Sequence, residues 1–267
     1  VRFASLGSGS KGNATLLESS GTLLMVDCGF SLRQTTARLE RLGVSPRDLS
    51  AILVTHEHSD HIGGVAALSA AFDVPVFLTH GTLRSGRLNG AAQVQCFNAG
   101  EALRIGDIDV QSVVVPHDAR EPCQYLFSAR GCRVGVLTDL GSVTPHVVEA
   151  YRGCHALLLE FNHDSELLRS GPYPPVLQAR VGGDWGHLNN AQACDFLRQV
   201  QTPALRQLAI AHISEQNNSA SAVQRVLSEH FPAAPWDITW ADQAEGFTWQ
   251  IVEPAGTSGA AVVPTVA

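Results

Sequence analysis

The sequence predicts an α/β protein, on three observations. Short apolar runs of strand length recur along the chain, separated by segments with helical spacing and capping residues of their own. Between residues 94 and 136 the chain is mostly strand-like, broken by Gly-bearing turns. Several of the strands end directly in chemistry-bearing residues: Asp27, the run Thr55-His56-Glu57-His58-Ser59-Asp60-His61, His117, Asp139, Glu160 and His212.

Taken in order, residues 2–6 form a strand followed by Gly7-Ser8-Gly9-Ser10-Lys11-Gly12. That hexapeptide matches G-x-G-x-x-G, and Asp27 closes a later strand, as in dinucleotide-binding folds. A βαβ crossover needs a dozen or more residues, and too few separate Gly12 from the turn Ser19-Ser20-Gly21. Residues 14–18 and 22–26 predict a β-hairpin instead. Residues 31–42 read as a helix with Ser31 as N-cap and Gly43 as C-cap. Ala51-Ile52-Leu53-Val54 is the strand before the histidine run; a helix at 62–72, a strand at 76–78 and a helix at 81–87 follow. His80, just ahead of that last helix, is read as structural or exposed and not as a ligand.

Strands are expected at 94–97, 102–105 and 109–115, then a hairpin at 123–129 and 132–137 around Arg130-Gly131. Helices at 143–151, 189–200 and 220–230 alternate with strands at 155–159 and 208–211, and strands at 236–240 and 246–251 close the fold. His146 lies on the surface of its helix in this reading. Residues 1–252 are expected to form one catalytic domain, and 253–267, rich in Pro, Gly, Ala and Thr, a disordered tail. No internal repeat of fixed period is visible.

Bulk properties narrow the classes. With 45% hydrophobic residues in 267, the chain has ample material for a core. No run reaches the ~18 apolar residues of a spanning helix, and Val1-Arg2-Phe3-Ala4-Ser5 lacks signal-peptide character. The six cysteines are scattered without a C-x-x-C pair, which predicts buried thiols in a cytoplasmic protein. A formal charge of −7 argues against coating nucleic acid by bulk electrostatics. It does not exclude a nuclease, because divalent ions would put positive charge where phosphates bind. Oligomeric state is not readable from the sequence.

The densest chemistry is the histidine run. Imidazole and carboxylate are the standard ligands of zinc and similar ions. Residues i and i+2 of an extended segment point to the same side, so His56 and His58 can grip one ion. Asp60 and His61, where the chain turns toward a helix, are then free to face a second. The pattern H-x-H-x-D-H after a strand resembles the metallo-β-lactamase fold superfamily of hydrolases, which implies a four-layer αββα sandwich. The resemblance further implies that His117 completes the first ion's imidazoles, that Asp139 bridges the two ions, and that His212 is the last ligand of the second. It gives Asp27 the role of holding a ligating histidine from behind.

More motifs extend the likeness: the opening S-L-G-S-G-S-x-G-N, E-x-N-H-D at Glu160, L-R-x-G-P-Y-P, G-H-L-x-N at His187, and A-H-I-S-x-x-N-N at His212. Together they resemble the YycJ/WalJ branch over residues 2 to 250. That branch implies a 5′→3′ exonuclease on DNA, with a part in DNA repair and two divalent ions, Zn²⁺ or Mn²⁺. In the related ribonuclease Z a Glu after a strand pairs with a His before a helix to protonate the leaving oxygen; Glu160 and His187 match. Asp60, Glu160 and His187 are therefore the expected catalytic residues, Asp60 also serving as a ligand. Ser8, Ser10, Asn13, Ser214 and Asn217 are candidate phosphate contacts, with Lys11, the chain's one lysine, beside them. His163 either contacts substrate or caps the helix after it. A hydrolase of small esters, thioesters, lactones or cyclic phosphodiesters on the same fold is the alternative, and a non-catalytic regulatory or scaffold protein retaining a vestigial site the third reading.

Overall fold

Apolar side chains collect in three layers, and strand periodicity explains why. The computed structural model describes residues 1–254, so most of the expected 253–267 tail lies outside the described residues. Along β3 (Thr22–Val26), Leu24 and Val26 face one core while Leu23 and Met25 face another. Successive side chains of a strand point to opposite faces, so a strand that is apolar throughout must be covered on both.

In the first half of the chain β1 (Arg2–Gly7), β2 (Ala14–Ser19), β3, β4 (Ala51–Leu53), β5 (Pro75–Thr79) and β6 (Gln93–Phe97) build one sheet. The second sheet takes β7 (Ala102–Ile105), β8 (Ile108–Val114), β9 (Cys123–Ala129), β10 (Cys132–Leu137), β11 (Ala156–Glu160), β12 (Gln207–Ala211) and β13 (Asp237–Trp240). The last strand, β14 (Phe247–Ile251), returns to the first sheet and pairs antiparallel with β1. Spatial order is β14-β1-β2-β3-β4-β5-β6 and β13-β12-β11-β10-β9-β8-β7.

The helices are α1 (Leu32–Arg41), α2 (Ser59–Ile62), α3 (Val65–Phe72), α4 (His80–Leu83), α5 (Pro145–Tyr151), α6 (Ser165–Ser170), α7 (Pro175–Val181), α8 (Asn190–Val200) and α9 (Ala220–His230). Leu39 of α1 and Val65 and Leu68 of α3 pack on the outer face of the first sheet. Val147 of α5, Phe196 of α8 and Val223 of α9 cover the outer face of the second. Between the sheets lie Phe3, Leu24, Leu53, Tyr125, Phe127, Val136 and Leu158. The order helix, sheet, sheet, helix is the αββα sandwich expected.

Three expectations need correcting. The helix expected over 62–72 is two, α2 and α3, broken at Gly63-Gly64. A Cβ on Gly64 would lie 1.9 Å from the Phe30 carbonyl oxygen, and one on Gly29 would lie 1.8 Å from that of Asp60. Only glycine lets the histidine loop approach the end of β3 so closely. The stretch 175–181, not assigned as a helix from the sequence, forms α7 after the Pro174-Pro175 start. The expected helix at 81–87 shrinks to the single turn α4, with His80 exposed at its first position.

Parallel pairing sets the site. β3 and β4 run parallel, as do β10, β11, β12 and β13. Their carboxyl ends therefore open onto common ground, where open α/β sheets place ligands.

Candidate metal centre and active site

Each strand end contributes one or two side chains. His56, His58, Asp60 and His61 follow β4, His117 follows β8, Asp139 follows β10, Glu160 ends β11 and His212 follows β12. Asp27, Asp139 and His212 have φ of 59°, 53° and 50°, a left-handed conformation that costs an L-residue about 1–2 kcal/mol. Three strained non-glycine residues at neighbouring strand ends turn their side chains inward where a continuing strand would not, as expected at functional sites.

The donors form overlapping groups in which one atom per residue lies within 4.8 Å of the others: His56, His58 and His117; His56, His61 and Asp139; Asp60, His61 and His212. Hydrogen bonds behind the rings fix which nitrogens point inward. The Thr55 hydroxyl donates to Asp27 Oδ2 (2.8 Å), so it accepts from His56 Nδ1 (2.9 Å). His56 Nε2 is left buried with no hydrogen-bond partner. His117 Nδ1 donates to the Gly186 carbonyl (3.0 Å), which turns its Nε2 toward His58 Nδ1 at 3.2 Å. His61 Nδ1 donates to Asp27 Oδ2 (2.7 Å), and its Nε2 faces Asp139 Oδ2 at 3.1 Å and Asp60 Oδ2 at 3.5 Å. Metal-ligating histidines use this kind of backing bond to hold tautomer and ring direction.

The protonation states suit cations. Burial holds the imidazole of His56 well below its usual pKa and that of His117 at about 4, so both are neutral ligands. Burial opposes the charge on Asp139, but His212 and His61 outweigh it and keep this carboxyl well below the usual carboxylate range. Burial likewise opposes protonation of His61, and Asp139, Asp60 and Asp27 overcome it, so an ion bound there would displace a proton. An orphaned buried nitrogen and a neutral-imidazole, ionised-carboxylate donor set fit divalent ions of the zinc and manganese type. Among the carboxylates of the described residues, Asp139 reaches toward both clusters, with Oδ1 3.8 Å from His117 Nε2 and Oδ2 3.0 Å from His212 Nδ1.

His187 adjoins these donors, one of its ring nitrogens lying within 4.8 Å of donor atoms of Asp139 and His212. Its Nδ1 is 3.0 Å from Glu160 Oε2, and its ring stacks edgewise near His117 and His212. Burial would strip the proton, but the hydrogen bond and charge of Glu160, with Asp139 and Asp60 behind, lift the pKa to about 9. Glu160 is fully buried, and its Oε1 accepts from the backbone N–H of Leu140 (2.6 Å) and Leu188 (3.2 Å). One carboxylate thus fixes the residue after Asp139 and the residue after His187.

Ser10 lies on the wall of the cavity above this cluster. The other candidate phosphate contacts face elsewhere, which corrects the expectation for them. Ser8 Oγ accepts from His212 N (3.0 Å) and donates to Asn13 Oδ1 (2.9 Å), and Asn13 Nδ2 lies 3.2 Å from His61 Nε2. Both brace ligand loops from below. Ser214 and Asn217 are buried and bond to each other within their turn, and Lys11 is paired with Glu215 at 2.6 Å. His163 is buried, with Nδ1 unpartnered, away from the cavity wall; Asp164 caps α6 instead.

Sequence reasoning assigned no role to Arg87, Tyr173, Leu177 and Val181, which also line this cavity. The signal was present in the four-residue spacing of Tyr173, Leu177 and Val181. Arg180 pairs with Asp118, whose Oδ1 lies 3.7 Å from His58 Nε2.

The family model described as the beta-lactamase superfamily domain matches residues 22–213. The exodeoxyribonuclease YycJ of Bacillus anthracis is 35% identical over 86% of this chain and 90% of its own length. The exodeoxyribonuclease WalJ of Streptococcus pneumoniae is 34% identical over 81% of this chain and 83% of its own. The chain belongs to the beta-lactamase superfamily and, within it, to the family of these YycJ and WalJ proteins. In solved structures the metallo-beta-lactamase fold protein YhfI from Bacillus subtilis superposes with a TM-score of 0.72, covering 93% of this chain and 98% of that one. At 14% identity that likeness concerns the fold alone.

Proposed function

We propose that this chain is a metal-dependent exonuclease that removes nucleotides from the 5′ end of DNA, serving repair in the cytoplasm. The observation that carries the phosphodiesterase reading is the Glu160–His187 pair, seated 3.0 Å apart over a donor set that shares Asp139. A phosphodiester releases a sugar alkoxide, which must be protonated as it departs, whereas a thioester releases a thiolate that is stable near neutral pH. A histidine whose proton is favoured by the hydrogen bond and charge of Glu160 answers the first need and not the second. The names of the YycJ and WalJ relatives support DNA as the polymer.

Two divalent ions would be held by His56, His58 and His117 on one side and Asp60, His61 and His212 on the other, with Asp139 between. When bound, such a pair supplies an activated water and neutralises charge on the phosphoryl oxygens. The protein's own part is orientation and proton delivery. Asp27 and Thr55 hold the His56 and His61 rings; Glu160 aims His187, whose Nε2 is free to donate to the leaving oxygen. Among the described residues no helix is long and apolar enough to cross a membrane, and the six cysteines are all free thiols. Both agree with the proposed setting.

The test is a metal-stripped sample titrated with Mn²⁺ and Zn²⁺ on 5′-end-labelled duplex DNA, with RNA and an acyl-thioester alongside and chelator controls. Metal-dependent release of labelled mononucleotide is expected. Turnover of the thioester with intact DNA under both metals would overturn the reading.

A further inference from the structure

The cavity of about 350 Å³ has two unlike walls. One is the donor cluster. The other is α7 with the segment before it, where Tyr173, Leu177 and Val181 recur every four residues and line the cavity beside Arg180. Every residue of α7 is at least partly exposed, so this strip adds nothing to the three cores. Val176, off this strip, is 84% exposed.

The three tyrosines show what sets this wall apart. Tyr125 and Tyr151 are buried, and their hydroxyls donate to the carbonyls of Val54 and Val136 at 2.6 and 2.7 Å. Tyr173 is half-buried on the cavity and its hydroxyl makes no hydrogen bond among the described residues. On the same cavity Arg87 is exposed, and among the described residues its guanidinium has no carboxylate partner, unlike Arg180. An aromatic ring on an apolar strip, with an uncommitted arginine lining the same cavity, complements a flat apolar base attached to a charged phosphate.

Resting on the nuclease reading above, we infer that Tyr173 is the base-stacking residue of this site. It receives the nucleobase of the strand-end nucleotide against Leu177 and Val181, while Arg87 holds the neighbouring phosphate. Because every base has a π-face, this contact grips the strand end without reading its sequence. Tyr173 is thereby a substrate-positioning residue.

The experiment compares kcat/KM for two oligonucleotides, one with an ordinary 5′-terminal nucleotide and one with an abasic residue there. Wild type, Y173A, Y173F and W185A are each assayed with metal. Y173A should lose about 5- to 150-fold on the ordinary end, mainly in KM, and nothing on the abasic end. Y173F should stay within about twofold of wild type, since the ring and not the hydroxyl does the stacking. Equal losses for Y173A on both ends would mean a structural role and overturn the inference. So would a base-dependent loss in W185A as large as that in Y173A, because Trp185 is 63% exposed on the adjacent loop. If wild type cleaves neither oligonucleotide, the nuclease reading itself fails, and that is visible without any variant.

Discussion

The two walls of the cavity are built on opposite plans. The donor wall stands on strand ends in the middle of two sheets: His56, His61, His117, Asp139 and His212 are all buried, and three of the backbone positions behind it are strained. The α7 wall stands on a seven-residue helix without a buried side chain, tied across the cavity by the Arg180–Asp118 pair. Chemistry that depends on atoms held to a few tenths of an ångström is anchored in the core, where packing and backing hydrogen bonds leave a ring one orientation. Contact with a substrate of variable sequence is left to a peripheral element, where surface packing and stacking tolerate small shifts. Mutations on the two walls should therefore fail differently.

The largest effect is expected at the point common to both donor groups. Asp139→Ala removes the one carboxylate among the described residues that reaches toward both clusters. Metal analysis should find at least one ion fewer per chain, and nuclease activity should fall below detection. A full two-ion complement with normal activity would break the division drawn here. His187→Ala should retain its ions yet lose about 10²- to 10⁴-fold in kcat on DNA, the usual range for general acid–base groups. The loss should shrink on bis(p-nitrophenyl) phosphate, whose leaving group needs no proton; an equal loss on both substrates would assign His187 to binding instead.

Asp27→Asn probes the support behind the donor wall. The carboxylate accepts from Thr55 N at 2.8 Å, the Thr55 hydroxyl at 2.8 Å and His61 Nδ1 at 2.7 Å. An amide turns one of these oxygens into a donor, which faces either the Thr55 backbone N–H or, on the other side, both the Thr55 hydroxyl and the His61 N–H. Metal affinity, measured by competition with a chromophoric chelator, should weaken about 10- to 100-fold.

Why so much of the donor wall was visible in the sequence follows from its construction. Asp27, His56, Asp139, Glu160 and His212 each sit at or just beyond the end of a short apolar run, so the strand signal and the chemical signal coincide. The α7 wall has no such coincidence. Its helix has no face turned to a core, and Pro172, Pro174 and Pro175 interrupt the run that leads into it. The Gly7-to-Gly12 loop shows a different limit. Its composition suggests an anion cradle, but composition does not say which side of the loop faces the cavity, and Ser8 and Asn13 turn inward to His212 and His61. The break at Gly63-Gly64 was hidden because its cause, the approach of Phe30, is 34 positions away in sequence.

The smallest effects separate the walls by stability alone. Tyr125 spans the space between the sheets and its hydroxyl donates to the Val54 carbonyl at 2.6 Å, directly beneath the histidine run. Tyr125→Phe keeps the ring packing but leaves that buried carbonyl without its donor, a cost of about 1–3 kcal/mol. Val176→Ser on the outer face of α7 changes a side chain already in water and should stay within about 0.5 kcal/mol of wild type. Urea unfolding of the two variants measures both, with the midpoint falling for the first and unmoved for the second. If Val176→Ser lowered the midpoint as much as Tyr125→Phe, α7 would be part of the packed structure, and the contrast between an anchored chemical wall and a peripheral binding wall would have to be given up.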